Sequence, residues 1–303
     1  MMTKYIFRAG FLVCIIFFSF IVPGCGDITG QLNEVIILTE HDTTSQQYDD
    51  LTSVTNITES LLYNGAEEIT TGFNLLQFDA EPGAIFSPDP IQNPEILFIT
   101  EGTALIDADD KKVTAGEHDA VYLPENTTRV IKNIDNKTLS FFSIIQSGTI
   151  GNIPPLQNQN NLTKEIDSVQ TITMNSEKTV NPLYFGDKNS NTSYEFYRLF
   201  HPSEKPYNMS FDLGTASLSH GYTIPDHYID DSFQLFHFLS GFGSITVGCT
   251  KHDVKNGDIV YVAPGALMNI TADSPVHMMV LTYPFYLPEN EHQMSGACDT
   301  RIT

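Results

Sequence analysis

Nine histidines, 37 acidic residues and four cysteines are the side chains on which catalysis or metal binding could rest. Imidazole and carboxylate together suit metal ligation or proton transfer. His227 is flanked by Asp226, Asp230 and Asp231, which on a loop are expected to point to solvent. His237 follows Gln234 by three positions. An odd step along a strand reverses the side-chain face, so these two should look opposite ways. His220 and His277 read as structural histidines on or beside strands. Asp107, Asp109 and Asp110 crowd a hairpin turn, where aspartate is favoured for bonds to its own backbone. The Gly and Glu of a calcium-binding loop do not follow them. There is no Gly-x-Ser-x-Gly elbow and no phosphate loop, and no spacing singles out a Ser/His/Asp trio. No cysteine spacing suggests zinc.

Composition narrows the partners. The chain has 303 residues, 41% hydrophobic and 11% aromatic, enough for two cored domains and too apolar for global disorder. Only 15 Lys and Arg oppose the acidic residues, giving a net charge of −22. Nucleic acid and anionic lipid surfaces, which need basic patches, are excluded as charge partners.

Residues 1–24 read as a targeting segment: Lys4 and Arg8, then the apolar run Ala9–Val22. Fourteen residues are short for crossing about 30 Å of hydrocarbon. Val22-Pro23-Gly24-Cys25 resembles the lipobox of prokaryotic lipoproteins, which implies lipid attachment at Cys25 and a membrane partner. An uncleaved signal anchor and free secretion are the other readings of the same residues. In the exported body only Cys249 and Cys298 remain, a candidate disulfide outside the cytosol. Seven Asn-x-Ser/Thr sequons are compatible with export.

The elements that must hold any site come in two copies. Glu95–Gly102 aligns with Gln234–Gly241 at an offset of 139, and Asp119–Tyr122 with Asp258–Tyr261. In the same register Arg129 falls opposite Met268. Each half is a series of short runs rich in β-branched and aromatic residues, with turn residues between them. No window forms a convincing amphipathic helix. Such strand-only units must close into barrels or pack sheet on sheet. The expected division is a 25–64 acidic tether with leading strands, a 65–148 barrel, a 149–164 linker, a 165–288 barrel with its leading strands, and a 289–303 tail.

This plan resembles the cupin superfamily in tandem, a bicupin. His227, Gln234 and Gly241 follow the spacing of the first cupin motif, and Gly257, Pro264 and Gly265 that of the second. Pro264-Gly265-Ala266-Leu267-Met268 is similar to the Pro-Gly-Ala-x-Gln stretch of exported and prokaryotic cupins. The resemblance implies an all-β chain of two tandem jelly-roll (double-stranded β-helix) barrels. It also implies that the barrels pair within the chain, as a monomer or as part of a dimer.

A cupin metal site would need three imidazoles and a carboxylate inside the barrel. In the second half only His227 stands at such a place. Ile229, Gln234 and Met268 fill the other three. In the first half Pro88 and Pro90 take two histidine places, Glu95 is kept and Arg129 takes the third. Glu95 and Arg129 are expected to pair across barrel one as buried ions. His227, Gln234, Met268 and the Tyr261 strand form a polar patch in an apolar barrel, suited to a small polar molecule. The expected function is non-catalytic binding with degenerate metal sites. The alternative is a metal-dependent isomerase or dioxygenase using iron, manganese, nickel or zinc on His227.

Overall fold

The computed structural model describes residues 35–39, 45–48, 51–57, 60–61, 72–88, 90, 92–109, 111–147, 171–186, 192–205 and 207–294. The targeting segment 1–24, Cys25, the linker 149–164 and Cys298 lie outside the described residues.

The first half holds β1 (Val35–Leu38), β2 (Ser45–Tyr48), β3 (Leu51–Asn56), β4 (Phe73–Ala80), β5 (Ile85–Phe86) and β6 (Glu95–Glu101). It continues with β7 (Thr103–Ala108), β8 (Lys111–Gly116), β9 (Asp119–Leu123), β10 (Arg129–Asn133) and β11 (Leu139–Gln146). The second half opens with β12 (Thr173–Ser176), β13 (Leu183–Gly186), β14 (Ser193–Phe200), β15 (Asp212–Leu218), β16 (Thr223–Ile229) and β17 (Phe233–Ser240). There follow β18 (Phe242–Val247), β19 (Thr250–Lys255), β20 (Ile259–Val262), β21 (Met268–Ala272), β22 (Val276–Tyr283) and β23 (Glu291–Gln293).

Barrel one packs the seven-stranded sheet β12-β9-β6-β11-β4-β3-β2 on the four-stranded sheet β5-β10-β7-β8. Barrel two packs β1-β20-β17-β22-β15-β14-β13 on β19-β18-β21-β16-β23. All pairing is antiparallel in both. The repeat read in the sequence is the repeat of the strands, since β7, β8 and β10 recur as β18, β19 and β21. Its turns recur too. Gly102 and Gly241 have φ of +81° and +84°. A side chain there would meet the Thr138 carbonyl at 2.7 Å or the Pro275 carbonyl at 2.1 Å, so only glycine fits. Asp119 accepts a hydrogen bond from the Gly116 N–H at 2.8 Å, and Asp258 from the Lys255 N–H at 2.9 Å.

The halves exchange their first strands. β1 pairs with β20 of the second half, and β12 pairs with β9 of the first. The two seven-stranded sheets bury their outer faces against each other. Phe73, Phe98 and Phe142 from one side meet Phe211, Phe233 and Leu281 from the other in a single apolar cluster. Strand alternation sorts the rest. Along β22, Met278 and Val280 face into barrel two, whereas Met279 and Leu281 face the partner barrel.

Candidate functional site

Barrel two encloses a cavity of about 650 Å³. Its walls come from β13 to β17, β21, β22 and β23, and His227, Gln234 and Met268 all line it. Ile229 lines it as well, so the four positions that would ligate metal in the resembling fold converge here. The register explains the layout. Gln234, Thr282 and Asp212 are side-by-side partners on β17, β22 and β15, and they make one polar rung. Two residues along, Phe236, Val280 and Gly214 form the next rung, and then Phe238, Met278 and Ala216. The cavity is thus polar at one end and apolar at the other.

The apolar wall is aromatic. Tyr184, Phe185, Tyr194, Phe196 and Tyr222 line it. Tyr194 stacks on Phe185 at 5.1 Å between centroids and on Tyr222 at 6.1 Å. A Cβ at Gly214 would lie 2.4 Å from the Phe196 ring, so glycine leaves room for this wall.

At the polar end, Arg198 donates to Glu204 at 3.0 Å. Asp212 is buried and accepts from the Tyr286 N–H at 2.6 Å. Burial pushes its carboxyl up to about 7, against the pull of that hydrogen bond and of Arg198. The Tyr286 hydroxyl donates to Glu291 at 2.5 Å, and Gln293 also donates to Glu291. Behind Asp212, His201 donates through Nε2 to the Tyr286 carbonyl at 2.8 Å, and burial lowers its pKa.

Two groups in the cavity have free bonding capacity. His227 Nδ1 lies 2.9 Å from the Pro225 carbonyl. A carbonyl only accepts, so Nδ1 carries a proton, and in the corresponding neutral tautomer Nε2 is the nitrogen with the lone pair. Gln234 Oε1 is buried with no hydrogen-bond partner among the described residues. A buried amide oxygen in that state costs about 1–3 kcal/mol until something donates to it.

Tyr261, expected in the barrel-two patch, lies elsewhere, whereas Glu95 and Arg129 form the barrel-one ion pair expected of them. Tyr261 belongs to the inter-barrel core, packed on Phe233 at 5.2 Å. Its neighbours Val260 and Val262 face the barrel interior, and strand parity turns Tyr261 away from them. Glu95 and Arg129 lie inside barrel one and bind each other, Arg129 Nε to Glu95 Oε2 at 2.7 Å, with Ser143 donating to the other oxygen. Burial raises the Glu95 pKa more than Arg129 lowers it. His237 faces away from Gln234 and packs edge-on against Phe142 at 5.0 Å. Asp226 lies on strand β16 rather than a loop and accepts from Asn269 at 2.6 Å. Asp230 binds His292 at 2.7 Å.

Barrel one differs inside for a local reason. Phe78 and Phe141 are cross-strand partners stacked at 5.1 Å, and they fill its centre. At the matching places barrel two has Ala216 opposite Met278. Small residues on β15 therefore open the cavity. Reading the sequence missed Arg198, Asp212, Tyr286 and Glu291. The alternation Tyr194, Phe196, Arg198 along β14 was the available signal for a lining strand.

Cys249 is disulfide-bonded, and its partner lies outside the described residues.

No protein-family model matches the chain, and none of the curated proteins does. Among solved structures, a variant of the Bacillus subtilis oxalate decarboxylase superposes with a TM-score of 0.62 at 12% identity. The match covers 88% of this chain and 81% of that one. That enzyme has Mn(II) centres. The Momordica charantia 7S globulin superposes with a TM-score of 0.63 at 12% identity, over 86% of each chain. The likeness is one of fold: this chain has the all-β architecture of two tandem cupin-type jelly-roll barrels.

Proposed function

We propose that this bicupin is an exported protein, held at a membrane through a lipid on Cys25 or an uncleaved signal anchor, that binds a small uncharged polar molecule in barrel two without transforming it. The observation that carries the reading is the cavity's pairing of an aromatic wall with two open polar atoms, Gln234 Oε1 and His227 Nε2. Stacked aromatics favour a ligand with a flat apolar face, while an orphan acceptor and a lone pair favour one that donates hydrogen bonds. A sugar or related polyol has both. An anionic ligand is disfavoured, because Arg198 is already engaged by Glu204, and Glu291 lines the same end.

The fold's usual metal fits these residues poorly. One imidazole, one carboxamide, one thioether and one alkyl group stand where three imidazoles and a carboxylate would be needed. A metal-dependent isomerase or dioxygenase is the competing reading, with His227 Nε2 as its single strong ligand. The two barrels already pair within one chain, so binding needs no second copy. The pairing of Cys249 with Cys298 belongs to the same proposal, and it would tie the tail to β19.

The test is a thermal-shift screen of the full chain in detergent against neutral sugars and polyols, followed by calorimetry. Binding should weaken by about ten-fold, or ~1.4 kcal/mol, in Gln234→Leu and in His227→Ala. A stoichiometric transition metal that vanishes in His227→Ala would overturn the reading in favour of the enzyme.

A further inference from the structure

We propose that the seam between the two barrels holds a divalent transition-metal ion on His118, Glu177 and His277. The ligating atoms of these three residues all lie within 4.8 Å of one another. Glu177 Oε1 is 2.8 Å from His277 Nε2, and Glu177 Oε2 is 3.5 Å from His118 Nδ1. The two imidazole rings are 4.2 Å apart, centroid to centroid. Two histidines and a carboxylate are the donor set of open divalent metal sites, and imidazole nitrogen suits zinc and its neighbours in the first transition row.

Each residue is fixed by a different piece of backbone. His118 sits in the β8–β9 turn with φ of +65°, and its N–H donates to the Ile99 carbonyl at 2.8 Å. The matching turn of barrel two has Gly257 at φ +91°, so this backbone conformation belongs to the turn itself. Glu177 follows β12, the strand that the second half lends to barrel one. The Ser176 carbonyl closes its turn, accepting from the Thr179 and Val180 N–H groups at 2.9 and 3.0 Å. His277 lies on β22 between Ser217 and Ser240, on the face turned to barrel one. A metal here would join barrel one, the exchanged strand and barrel two at one point.

The side chains are 26%, 19% and 14% exposed, enough to admit an ion and leave a position for water. An ion about 2.0–2.2 Å from each ligand would set the ligand atoms roughly 3–3.6 Å apart, near the 2.8 and 3.5 Å spacings already present. The site is distinct from the barrel-two cavity, since none of its residues lines that cavity.

The test is zinc calorimetry on metal-stripped full chain in detergent, with cobalt substitution read by visible absorption. One zinc per chain is expected, with a cobalt spectrum of low-symmetry nitrogen and oxygen ligation. His118→Asn keeps a residue that tolerates positive φ, and His277→Gln keeps most of the ring volume. Each should weaken zinc at least about ten-fold, a loss that even outer-shell changes reach. His227→Ala should leave zinc unchanged, which separates this site from the barrel-two proposal. Circular dichroism checks that the variants fold; should they not, the wild-type cobalt spectrum decides. No zinc uptake, a hexaaqua-like cobalt spectrum, uptake insensitive to His118→Asn, or uptake abolished by His227→Ala would each overturn the inference.

Discussion

Asp212 and His237 are both buried in the second half, and burial acts on them in opposite directions. Asp212 is raised from 3.8 to about 7, so between those pH values the folded chain holds a proton that the unfolded chain has lost. Its contribution to stability therefore falls as pH rises through that window. His237 is lowered from 6.5 to about 4, so the folded chain holds one proton fewer between them. Its contribution rises with pH over that window, as does that of His201, which is shifted the same way. Across the overlap the two slopes, each at most about 1.4 kcal/mol per pH unit, oppose one another. Asp212→Asn removes one of them. Its stability relative to wild type should increase as pH rises from 4 to 7, by up to about 4 kcal/mol, and then level off. Urea unfolding of both proteins at pH 4.5, 6 and 7.5 measures this, and a constant difference would show that Asp212 is not protonated in the fold. Asp212 did not stand out in the sequence, and of His237 strand parity gave the direction it faces but not its burial. An Asp opening a strand and a His within one look like many others, and their shifts come from β22 and Phe142 closing over them. His227, Gln234 and Met268 were legible because motif spacing fixes their places. Tyr261 was misassigned by one step of strand parity, which sends a side chain to the opposite face.

At the scale of elements, the strand repeat was readable because its offset of 139 recurs in turns as well as strands. The strand exchange was not. Val35–Leu38 is a short apolar run that would satisfy any sheet edge, and nothing local says that the edge belongs to the other half. Its burial shows what the exchange contributes. Leu38 and Ile36 enter the inter-barrel core, while Val35 and Ile37 pack on the interior of barrel two. Leu38→Ala should cost about 2–5 kcal/mol, the usual range for emptying a buried leucine site. Because β1 also covers the edge of β20, removal of residues 1–39 should add aggregation to the loss, through an exposed edge strand. Denaturant midpoints for the point variant, and light scattering for the truncation, check both. A cost below about 1 kcal/mol for Leu38→Ala would mean that β1 is not held on barrel two as described.

The whole molecule is built so that neither barrel is complete alone. Each sheet of seven strands includes one lent by the other half, and the faces between them share one apolar cluster. Phe73 of barrel one meets Phe211 and Phe233 of barrel two at 5.5 and 5.9 Å between centroids. Burying a phenylalanine contributes about 1.5–3 kcal/mol, and aromatic contact adds about 0.5–1.5 kcal/mol. Several such residues on each side exceed what a barrel could lose and still fold by itself, given net stabilities of about 5–15 kcal/mol. Unfolding of one barrel would strip β1 or β12 from the other and expose this face. The two should therefore melt together, in one calorimetric transition whose van't Hoff and calorimetric enthalpies agree. Phe73→Ala and Phe233→Ala should each lower that single transition, and the double variant should lose less than the sum by about 0.5–3 kcal/mol. Two resolved transitions, with Phe73→Ala moving only one of them, would show instead that the barrels are independent units joined by a dispensable interface.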